Sequence, residues 1–319
     1  MQLQYTLRRY KRGRLLRAVW VASVGVVGVT YILSSALYTS QLLQLLCESE
    51  CTRQALEGCW SPESRVLVTH IRRAVLDKMQ TQVAEPITRQ ELDDPPWLHL
   101  GGWMFAEAAI RQVFTHKWRG VFVEVGAGSG VFKSHTAWLE TDRGWSGLLV
   151  EPRPEAYARL RLRRKALAAR ACVSDLPHTK KDVLWTPGHT EDLPDLYRDM
   201  ALSKSTLEAY VAPEDKAGTA GRAVQCFTLD ALAAAALGLH RTIDLVVLDT
   251  AGGEYMVLNT LQHLNILSLL IKYNTEVDFD MIVDAAKGLN LHQQHADVLQ
   301  NEKYIFFLNP NSGINITRT

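Results

Sequence analysis

The chain has 319 residues, of which 47% are hydrophobic and 22% are charged. This composition is typical of a folded globular protein and excludes a disordered or collagen-like chain. The length accommodates one good-sized domain with accessory segments or two small domains, and a formal net charge of +1 indicates no particular charged partner.

The N-terminal region differs from the rest of the chain in charge. Six basic residues lie between positions 8 and 17, and the first acidic residue is Glu48. Residues 18–40 are uncharged and mostly apolar, and about 20 such residues let a helix cross the bilayer core. Because the basic residues come first, the positive-inside rule predicts a cytosolic tail at 1–17 and a transmembrane signal anchor at 18–40. The predicted protein is a single-pass type II membrane protein of the endoplasmic reticulum or Golgi.

Two other interpretations of the N-terminus stay open. Residues 34–36 (SSA) form a tolerable signal-peptidase site, although the long basic region and the long apolar run favour an anchor. The Arg-rich, acid-free start also fits a mitochondrial address, which makes a mitochondrial membrane the alternative location. Asn315 begins a glycosylation sequon, which agrees with an exposed C-terminus in the secretory pathway.

Residues 41–97 are predicted to form a stem that ends at the helix-breaking sequence DDPPW. The stem contains three cysteines whose spacing is not that of a zinc site, Cys47, Cys51 and Cys59. Either two of them form a local disulfide in an oxidising lumen, or all three are unpaired. Cys172, in an apolar stretch, is expected to be a free cysteine that packs as a small hydrophobic residue. No metal site is predicted.

From residue 98 to residue 310, strand-like apolar runs alternate with helix-like segments. Continuous apolar strands suit a parallel sheet buried on both faces, so the alternation predicts a doubly wound α/β, Rossmann-like fold. A helix is predicted at 103–114, and strands at 121–125, 147–151, 168–173, 243–249, 269–273 and 303–308. Residues 175–222 are the least regular part and are expected to be an insertion near the ligand edge, and 311–319 form a C-terminal tail.

Residues 122–130 (FVEVGAGSG) carry the first chemical motif. Gly126, Gly128 and Gly130 follow a predicted strand and precede a helix expected at 132–141, where glycines allow a tight turn and the close approach of a ligand. Glu124 lies two residues before the first glycine, an arrangement typical of enzymes that bind S-adenosylmethionine (SAM). The alternative is a purely structural glycine turn.

Residues 145–154 (WSGLLVEPRP) place Glu151 at the end of the next predicted strand. A carboxylate at this position can accept hydrogen bonds from both ribose hydroxyls of a nucleotide. Together with the glycine loop, Glu151 predicts a nucleotide-type site at the carboxyl edge of the sheet.

Five sequence blocks resemble the FkbM-type methyltransferases, and within them a membrane-anchored, Star-like branch. The blocks are 122–130, 138–140 with 144–154, 171–174, 227–232 and 243–258. The resemblance implies a SAM methyltransferase domain at 98–310, with SAM as its cofactor. It implies that Gly126, Gly128 and Gly130 bind SAM, with Glu124 near its methionine amino group and Glu151 on its ribose.

The same resemblance implies two further regions of the site. Ser174 and Asp175 are expected near the adenine of SAM, and Asp249 at the mouth where the methyl group is transferred. Because methylation of a hydroxyl benefits from a base, Asp249 is the candidate for that role.

One block departs from the family pattern. The family usually has Asp-Val-Glu-Gly-x-Glu where residues 249–254 read DTAGGE, so Ala251 replaces an internal glutamate. Two functions therefore stay open. The first is a SAM-dependent methyltransferase, acting on oxygen in an acceptor that the sequence does not identify. The alternative is a catalytically inactive, methyltransferase-like membrane protein that binds membrane-protein cargo in the secretory pathway.

Two further groups of polar residues are interpreted as surface features. Residues 157–170 are rich in Arg and are expected to form a solvated helix face; without interleaved aromatic residues they predict no nucleic-acid partner. His292 and His295 lie three positions apart, as on one face of a helix, and without a third ligand they are expected to be surface histidines.

Overall fold

The computed structural model describes residues 49–58, 61, 63–100, 102–297 and 303–313, and near the N-terminus residues 23, 26–31, 34 and 35. The chain divides into two compact units, residues 1–53 and residues 54–319. In the first unit the described residues are helical. The predicted tail at 1–17, most of the predicted anchor and Asn315 lie outside the described residues. Cys47 and Cys59 lie outside them too, so the stem disulfide stays a prediction. No helix within the described residues is long and apolar enough to span a membrane.

Helices and strands alternate through most of the second unit. The helices are α1 (Arg65–His70), α2 (Arg89–Asp93), α3 (Trp103–Phe114), α4 (Ala137–Arg143), α5 (Pro154–Arg163), α6 (Asp195–Leu202), α7 (Leu229–Leu237), α8 (Glu254–Asn259) and α9 (Glu276–Gly288). The strands are β1 (Leu76–Asp77), β2 (Val121–Val125), β3 (Ser146–Val150), β4 (Leu167–Ala169), β5 (Cys172–Val173), β6 (Lys180–Pro187), β7 (Thr206–Leu207), β8 (Thr219–Phe227), β9 (Thr242–Ile243), β10 (Leu245–Leu248), β11 (Asn265–Ile266), β12 (Ser268–Tyr273), β13 (His292–Asp297) and β14 (Lys303–Leu308). Short 3-10 turns occupy Glu208–Tyr210 and Pro213–Lys216, and a π-helical turn, Ile71–Val75, follows α1.

Among the described residues, the main sheet has eight strands in the order β1-β4-β3-β2-β10-β12-β14-β13. The five strands from β4 to β12 are parallel to their neighbours, whereas β14 runs antiparallel to both β12 and β13. From β2 the chain moves through β3 to β4 on one side, and it later returns to β10 on the other side. This reversal makes the gap between β2 and β10 the topological switch point, where open α/β sheets bind their ligands.

Alternate residues of the central strands enter two separate cores, one on each face of the sheet. On one face, Phe122 and Leu149 pack with the apolar sides of α3, α4 and α5. On the other face, Val123 and Leu148 pack with residues of α7, α8 and α9. Helices therefore cover both faces of a mostly parallel sheet. This confirms the predicted doubly wound, Rossmann-like α/β fold.

Strands β5, β8, β6 and β7 form a second, four-stranded sheet. The single strand predicted at 168–173 is wrong, because Ala169 ends β4 in the main sheet while Cys172 begins β5 in the second one. The expectation that 175–222 is irregular is also wrong, since β6 and β8 pair antiparallel over eight residues from Lys180 to Pro187.

Residues 54–97 belong to the globular unit, so the predicted boundary between a stem at 41–97 and a domain at 98–310 is wrong. Leu67 and Ile71 are fully buried in the core. Leu76 of β1 pairs with Ala169 of β4 and so extends the main sheet by one strand. The breaker at 93–97 ends α2 without separating two domains.

The helical face predicted for His292 and His295 is wrong. Both residues lie on β13, which pairs antiparallel with β14 and carries a register shift between Gln293 and His295. His292 is exposed. This strand has a polar sequence, HQQHAD, and no apolar pattern marked it as a strand.

Candidate functional site

A cavity lies at the switch point, outside the carboxyl ends of β2, β3 and β10. The space between its atoms is about 1100 Å³, a figure that includes the part open to solvent. Gly126, Glu151 and Asp249 line it at the ends of the three strands. Residues 199–210, which include the end of α6, line the opposite wall. This agrees with the prediction that residues 175–222 lie near the ligand-binding edge of the sheet.

The glycine loop approaches the neighbouring strand end more closely than a side chain permits. Gly126 has φ +82°, and a Cβ atom added there would lie 1.8 Å from the carbonyl oxygen of Asp249. Gly128 also has a positive φ, and its amide donates to Glu151 Oε2 at 2.8 Å. The loop can therefore join β2, β3 and β10 closely only if glycine occupies position 126.

The helix predicted at 132–141 begins later, at Ala137. Residues 131–136 instead form a non-helical segment that Glu124 organises from β2. Glu124 Oε2 accepts hydrogen bonds from Ser134 and Thr136, and Oε1 accepts one from the backbone N–H of His135. The Glu124 carboxylate therefore lines the cavity while its hydrogen bonds are directed at this segment.

The basic segment 157–170 is not simply a solvated face, so that interpretation is wrong. Arg164 is fully buried and donates to the carbonyl of Gly130, to Ser134 and to Thr136. Arg163 pairs with Glu91 at 2.7 Å. Arg164 therefore holds the end of the glycine loop, and its burial is offset by the Glu140 carboxylate and the Gly130 carbonyl.

Glu151 lies at the predicted place but its carboxylate is fully engaged. Oε1 accepts from the Arg153 backbone N–H at 2.9 Å and from Arg153 Nε at 2.7 Å. Oε2 accepts from Gly128 N–H at 2.8 Å and from Arg153 Nη2 at 3.0 Å. Arg153 Nη1 also donates to the carbonyl of Leu202 at the end of α6. Because a carboxylate has about four acceptor positions, a ribose on Glu151 has to displace Arg153.

The two residues expected near adenine have different positions. Ser174 donates to the carbonyl of His178 and is not among the cavity-lining residues. Asp175 lines the cavity and accepts from Tyr210 at 2.7 Å. Burial alone would raise the pKa of Asp175, but its hydrogen bonds with Lys180 and Tyr210 outweigh burial and lower it below 3.8. Asp175 is therefore a carboxylate on the cavity wall.

Asp249 lies where the sequence places it, at the end of β10. Its Oδ1 accepts from Lys272 of β12 at 3.1 Å, and its Oδ2 accepts from Tyr304 of β14 at 3.0 Å. Burial acts to raise the pKa of Asp249, but the Lys272 ammonium and the two hydrogen bonds lower it below 3.8. A carboxylate this strongly held is a weak proton acceptor.

Residues 249–254, which differ from the family pattern, form a tight loop. Ala251 has φ +58°, and Gly252 and Gly253 also have positive φ values. Glu254 folds back and accepts from the amides of Thr250 and Gly252. Burial and the nearby Asp249 charge raise the pKa of Glu254. Ala251 lines a second, wider cleft that adjoins the cavity and shares Lys133 and Lys272 with it.

Cys172 is not a free cysteine, so that expectation is wrong. It forms a disulfide with Cys226, 54 positions away, and the two residues pair in register on β5 and β8. Cys172 lines the cavity beside Asp175, and both cysteines are buried. The sequence did not predict this pairing, because it does not show that β5 and β8 are neighbours.

Sequence reasoning missed two polar groups of this site, Arg153 and the pair His135–Glu107. Arg153 follows Glu151 by two positions in the PRP sequence, which gave a usable signal. His135 and Glu107 are 28 positions apart on different elements, and no spacing rule connects them.

The protein has a doubly wound α/β fold with a cavity at its switch point. The sequence profile of the methyltransferase FkbM domain matches residues 124–306, more than half of the chain. The chain therefore belongs to the FkbM methyltransferase domain family. No curated protein sequence matches the chain.

Several solved methyltransferase structures are similar to the chain at low levels. A precorrin-6y C5,15-methyltransferase from Geobacter metallireducens is 11% identical over 64% of this chain and 87% of its own, with a TM-score of 0.33. TrmK of M. capricolum, in complex with S-adenosylhomocysteine, is 11% identical over 63% and 68%, with a TM-score of 0.32. A SAM-dependent methyltransferase from Aquifex aeolicus is 9% identical over 69% and 96%, with a TM-score of 0.33. At these values the similarities carry no argument, and family membership rests on the domain match.

Proposed function

We propose that the chain is a SAM-dependent methyltransferase that acts on an oxygen atom of its acceptor. One observation carries the proposal. In a chain of a methyltransferase family, the glycine loop, Glu151 and Asp249 meet around a single cavity at the switch point. This is the position at which a nucleoside lies across the carboxyl ends of two diverging βαβ units.

The residues present fit SAM. Gly126 keeps the loop free of a Cβ atom that the Asp249 carbonyl would exclude. Glu151 is the candidate for the ribose hydroxyls once Arg153 is displaced, and the hydrogen-bonded Asp175 and Tyr210 are further polar groups of the cavity wall. SAM, when bound, supplies an electrophilic methyl group on a positively charged sulfonium.

The protein's own part in such a reaction is mainly alignment and the exclusion of water. Side chains from Asp199 to Tyr210 form part of the cavity wall. Asp249, with its lowered pKa, is better suited to keep a negative charge beside the transfer site than to remove a proton. We therefore propose that Asp249 has an electrostatic role and orients Lys272 and Tyr304.

The test is calorimetric titration of the purified full-length chain with SAM and with S-adenosylhomocysteine (SAH). We expect both to bind, and tritium from methyl-labelled SAM to be transferred to an acceptor from a membrane or glycan extract. Gly126→Ala is the test variant, and we expect it to weaken binding of both. Gly144→Ala is its control, because Gly144 also has a positive φ but has no atom within 4 Å of an added Cβ and does not line the cavity. Failure of the wild-type chain to bind either nucleoside overturns the proposal.

We further propose that the catalytic unit is carried on a type II signal anchor and lies in the lumen of the endoplasmic reticulum or Golgi. The charge asymmetry of residues 1–40 supports this topology. The buried Cys172–Cys226 disulfide supports an oxidising compartment. If the topology is right, endoglycosidase treatment of the expressed chain shifts its mass and Asn315→Gln abolishes the shift. Imaging that places the chain in mitochondria supports the alternative location instead.

A second candidate is a non-catalytic, Star-like protein that binds membrane-protein cargo. Two features favour it: Ala251 in place of the family's glutamate, and a Glu151 carboxylate whose acceptor positions Arg153 and Gly128 fill. This candidate predicts that Glu151→Ala keeps full cellular function after SAM binding is lost, and that a membrane protein co-purifies with the chain. Loss of function together with loss of SAM binding would exclude it.

A further inference from the structure

The second cleft, which Ala251 lines, adjoins the cavity. The space between its atoms is about 1660 Å³, a figure that includes the part open to solvent. Five residues line both the cavity and the second cleft: Phe132, Lys133, Ser203, Tyr210 and Lys272. A group bound at this shared boundary is therefore next to any ligand that fills the cavity.

The charged side chains that line the second cleft are mainly cationic. Lys133, Lys204 and Lys272 line it, whereas Asp215 is the one carboxylate among its described lining residues. Lys272 donates to Asp249, which lines the cavity and not the cleft. With that pair set aside, the wall still carries two lysines against one carboxylate. An anion that enters the cleft therefore meets a net positive charge.

Lys204 lies outside the shared boundary. It follows the end of α6, it is exposed, and it lines the cleft but not the cavity. Its backbone N–H donates to the carbonyl of Ala201 in the last turn of that helix. Lys133 and Lys272, by contrast, line both spaces. The cations therefore extend from the boundary with the cavity to an exposed part of the cleft wall.

Ala251 keeps a further carboxylate out of this wall. It lines the second cleft at the position where the family usually has glutamate. Its φ of +58° is unfavourable for any residue with a Cβ atom. Alanine and glutamate bear a similar cost in this conformation, so the backbone does not explain the exchange. The exchange does change the charge of the cleft, because a glutamate here would offset one of the lysines.

We propose that the second cleft is the acceptor site, and that it holds the acceptor by an anionic group, namely a carboxylate, a phosphate or a sulfate. This inference rests on the proposed function, because it names the acceptor class of the same reaction. The hydroxyl to be methylated lies at the boundary with the cavity, and the anion pairs with Lys133 and Lys204. Ala251 then determines specificity, since a glutamate in its place repels the anion.

The competing interpretation is a solvent-filled groove whose lysines serve no ligand. Lysine is common on protein surfaces, and exposed ion pairs contribute little to stability. A groove of this kind binds a charged sugar no more tightly than a neutral one. Its affinity for small molecules also does not depend on the charge at residue 251.

The experiment is titration of the SAH-bound full-length chain with four probes that share one sugar ring. The probes are glucuronate, glucose 6-phosphate, glucose 6-sulfate and glucose, which carry a carboxylate, a phosphate, a sulfate and no charge at the C6 position. Ligand-observed NMR measures the dissociation constants, because it detects weak binding. We expect at least one charged probe to bind about tenfold more tightly than glucose. The probe that binds most tightly identifies the anion.

Ala251→Glu and Ala251→Gln are the matched pair that locates the bound probe. Both variants place a side chain of the same length on the same backbone, and they differ in charge. We expect Ala251→Glu to bind the preferred charged probe about 5- to 10-fold more weakly than Ala251→Gln, because it adds one like charge. The affinities of the two variants for glucose and for SAH should agree within about twofold, since Ala251 does not line the cavity.

Lysine variants provide a second test of the same site. Lys204→Met removes a cation from the cleft wall, and we expect it to weaken the preferred charged probe about threefold. Lys181→Met is its control and should bind as wild type does, because Lys181 is also exposed but lines neither the cavity nor the cleft. If the variants at residue 251 do not fold, this lysine pair carries the test.

The outcomes separate the two proposals. If wild type does not bind SAH, the proposed methyltransferase function fails, and the acceptor site fails with it. If wild type binds SAH but prefers no charged probe over glucose, the function stands and the anionic acceptor is overturned. The acceptor site is also overturned if a charged probe is preferred but binds equally to Ala251→Glu and Ala251→Gln.

Discussion

Gly126 joins the glycine loop to the end of β10 with no space for a side chain. We expect Gly126→Ala to lower the free energy of unfolding by about 2–4 kcal/mol, from a left-handed backbone and a collision with the Asp249 carbonyl. Gly144→Ala has the same backbone cost without the collision and should lose only about 1 kcal/mol. Urea unfolding of the two variants measures the difference. Equal losses of stability in the two variants would show that the close contact between residue 126 and the Asp249 carbonyl adds no cost.

Glu151 and Arg153 form a buried ion pair, in which Glu151 is 1% and Arg153 8% exposed. Burial acts to lower the pKa of Arg153, but the Glu151 charge raises it above its ordinary value. We expect Glu151→Gln to cost about 3 kcal/mol, because it leaves a buried guanidinium without its counter-charge. The double variant Glu151→Gln/Arg153→Met should be more stable than Glu151→Gln alone. Urea unfolding of the full cycle checks this, and simple additivity would contradict the coupling.

Single residues were predictable where a local rule applies to them. Gly126, Gly128 and Glu151 follow strands at fixed spacing, and that spacing alone located them at the cavity, whereas Gly130 does not line it. Glu124 lines the cavity, but the sequence did not show that Ser134 and Thr136, from a segment predicted as helix, donate to its oxygens. His135 depends on Glu107 of a separate element, and only the folded chain brings them together.

At the scale of elements, three strand ends meet in the cluster of Asp249, Lys272 and Tyr304. The pKa of Asp249 is lowered, so its contribution to stability is present above 3.8 and is lost as the pH falls through the lowered value. We expect Lys272→Met to be about 2 kcal/mol less stable than wild type at pH 7, less than for a fully buried pair. The difference should shrink steadily below pH 4. Urea unfolding between pH 2.5 and 7 checks this, and a difference independent of pH would contradict it.

The disulfide joins β5 to β8 beside the cavity. Closing a loop over a separation of 54 residues removes enough chain entropy from the unfolded state to stabilise the fold by about 4 kcal/mol. We expect dithiothreitol to lower the melting temperature of wild type and to weaken SAH binding. The variant Cys172→Ala/Cys226→Ala should resemble reduced wild type and should not respond to the reductant. A wild-type melting temperature unchanged by full reduction would contradict a structural role.

Elements were predicted well where they are apolar and continuous. The helix Trp103–Phe114 and the strands Val121–Val125 and Lys303–Leu308 have the predicted bounds. The polar strand β13 was missed because its order comes from pairing with β14 and not from its own pattern. The apolar pattern also predicted β4 and β5 as a single strand, because one apolar run continues from the main sheet into the second sheet.

At the scale of the molecule, the compact unit begins at Gln54, well before the matched family domain. We expect a fragment of residues 54–319 to unfold cooperatively in urea. A fragment of residues 98–319 should be strongly destabilised, because it lacks Leu67, Ile71 and β1, and deleting a large core side chain alone costs about 2–5 kcal/mol. Urea unfolding and size-exclusion chromatography compare the two. Equal stability would restore the boundary at residue 97.

The membrane topology of the whole chain was argued from charge and hydropathy, and it stays a proposal because residues 1–22 lie outside the described part. The fold of the second unit follows from the sequence because strand and helix periods alternate cleanly. The start of that unit could not be predicted from the sequence, because Leu67 and Ile71 become core residues only through the contact of α1 with α7.

The existing hydrogen bonds of the Glu151 carboxylate limit how much the ribose of a ligand can add to binding affinity. Its four acceptor positions are filled by Gly128 and Arg153, so each ribose hydroxyl that enters replaces an existing donor. The hydrogen bond from a neutral hydroxyl is no stronger than the one it replaces from the amide or the charged guanidinium, so the exchange adds little net free energy. Ribose recognition at this carboxylate therefore contributes selectivity among sugars more than binding strength. Most of the affinity has to come from the two ends of the ligand.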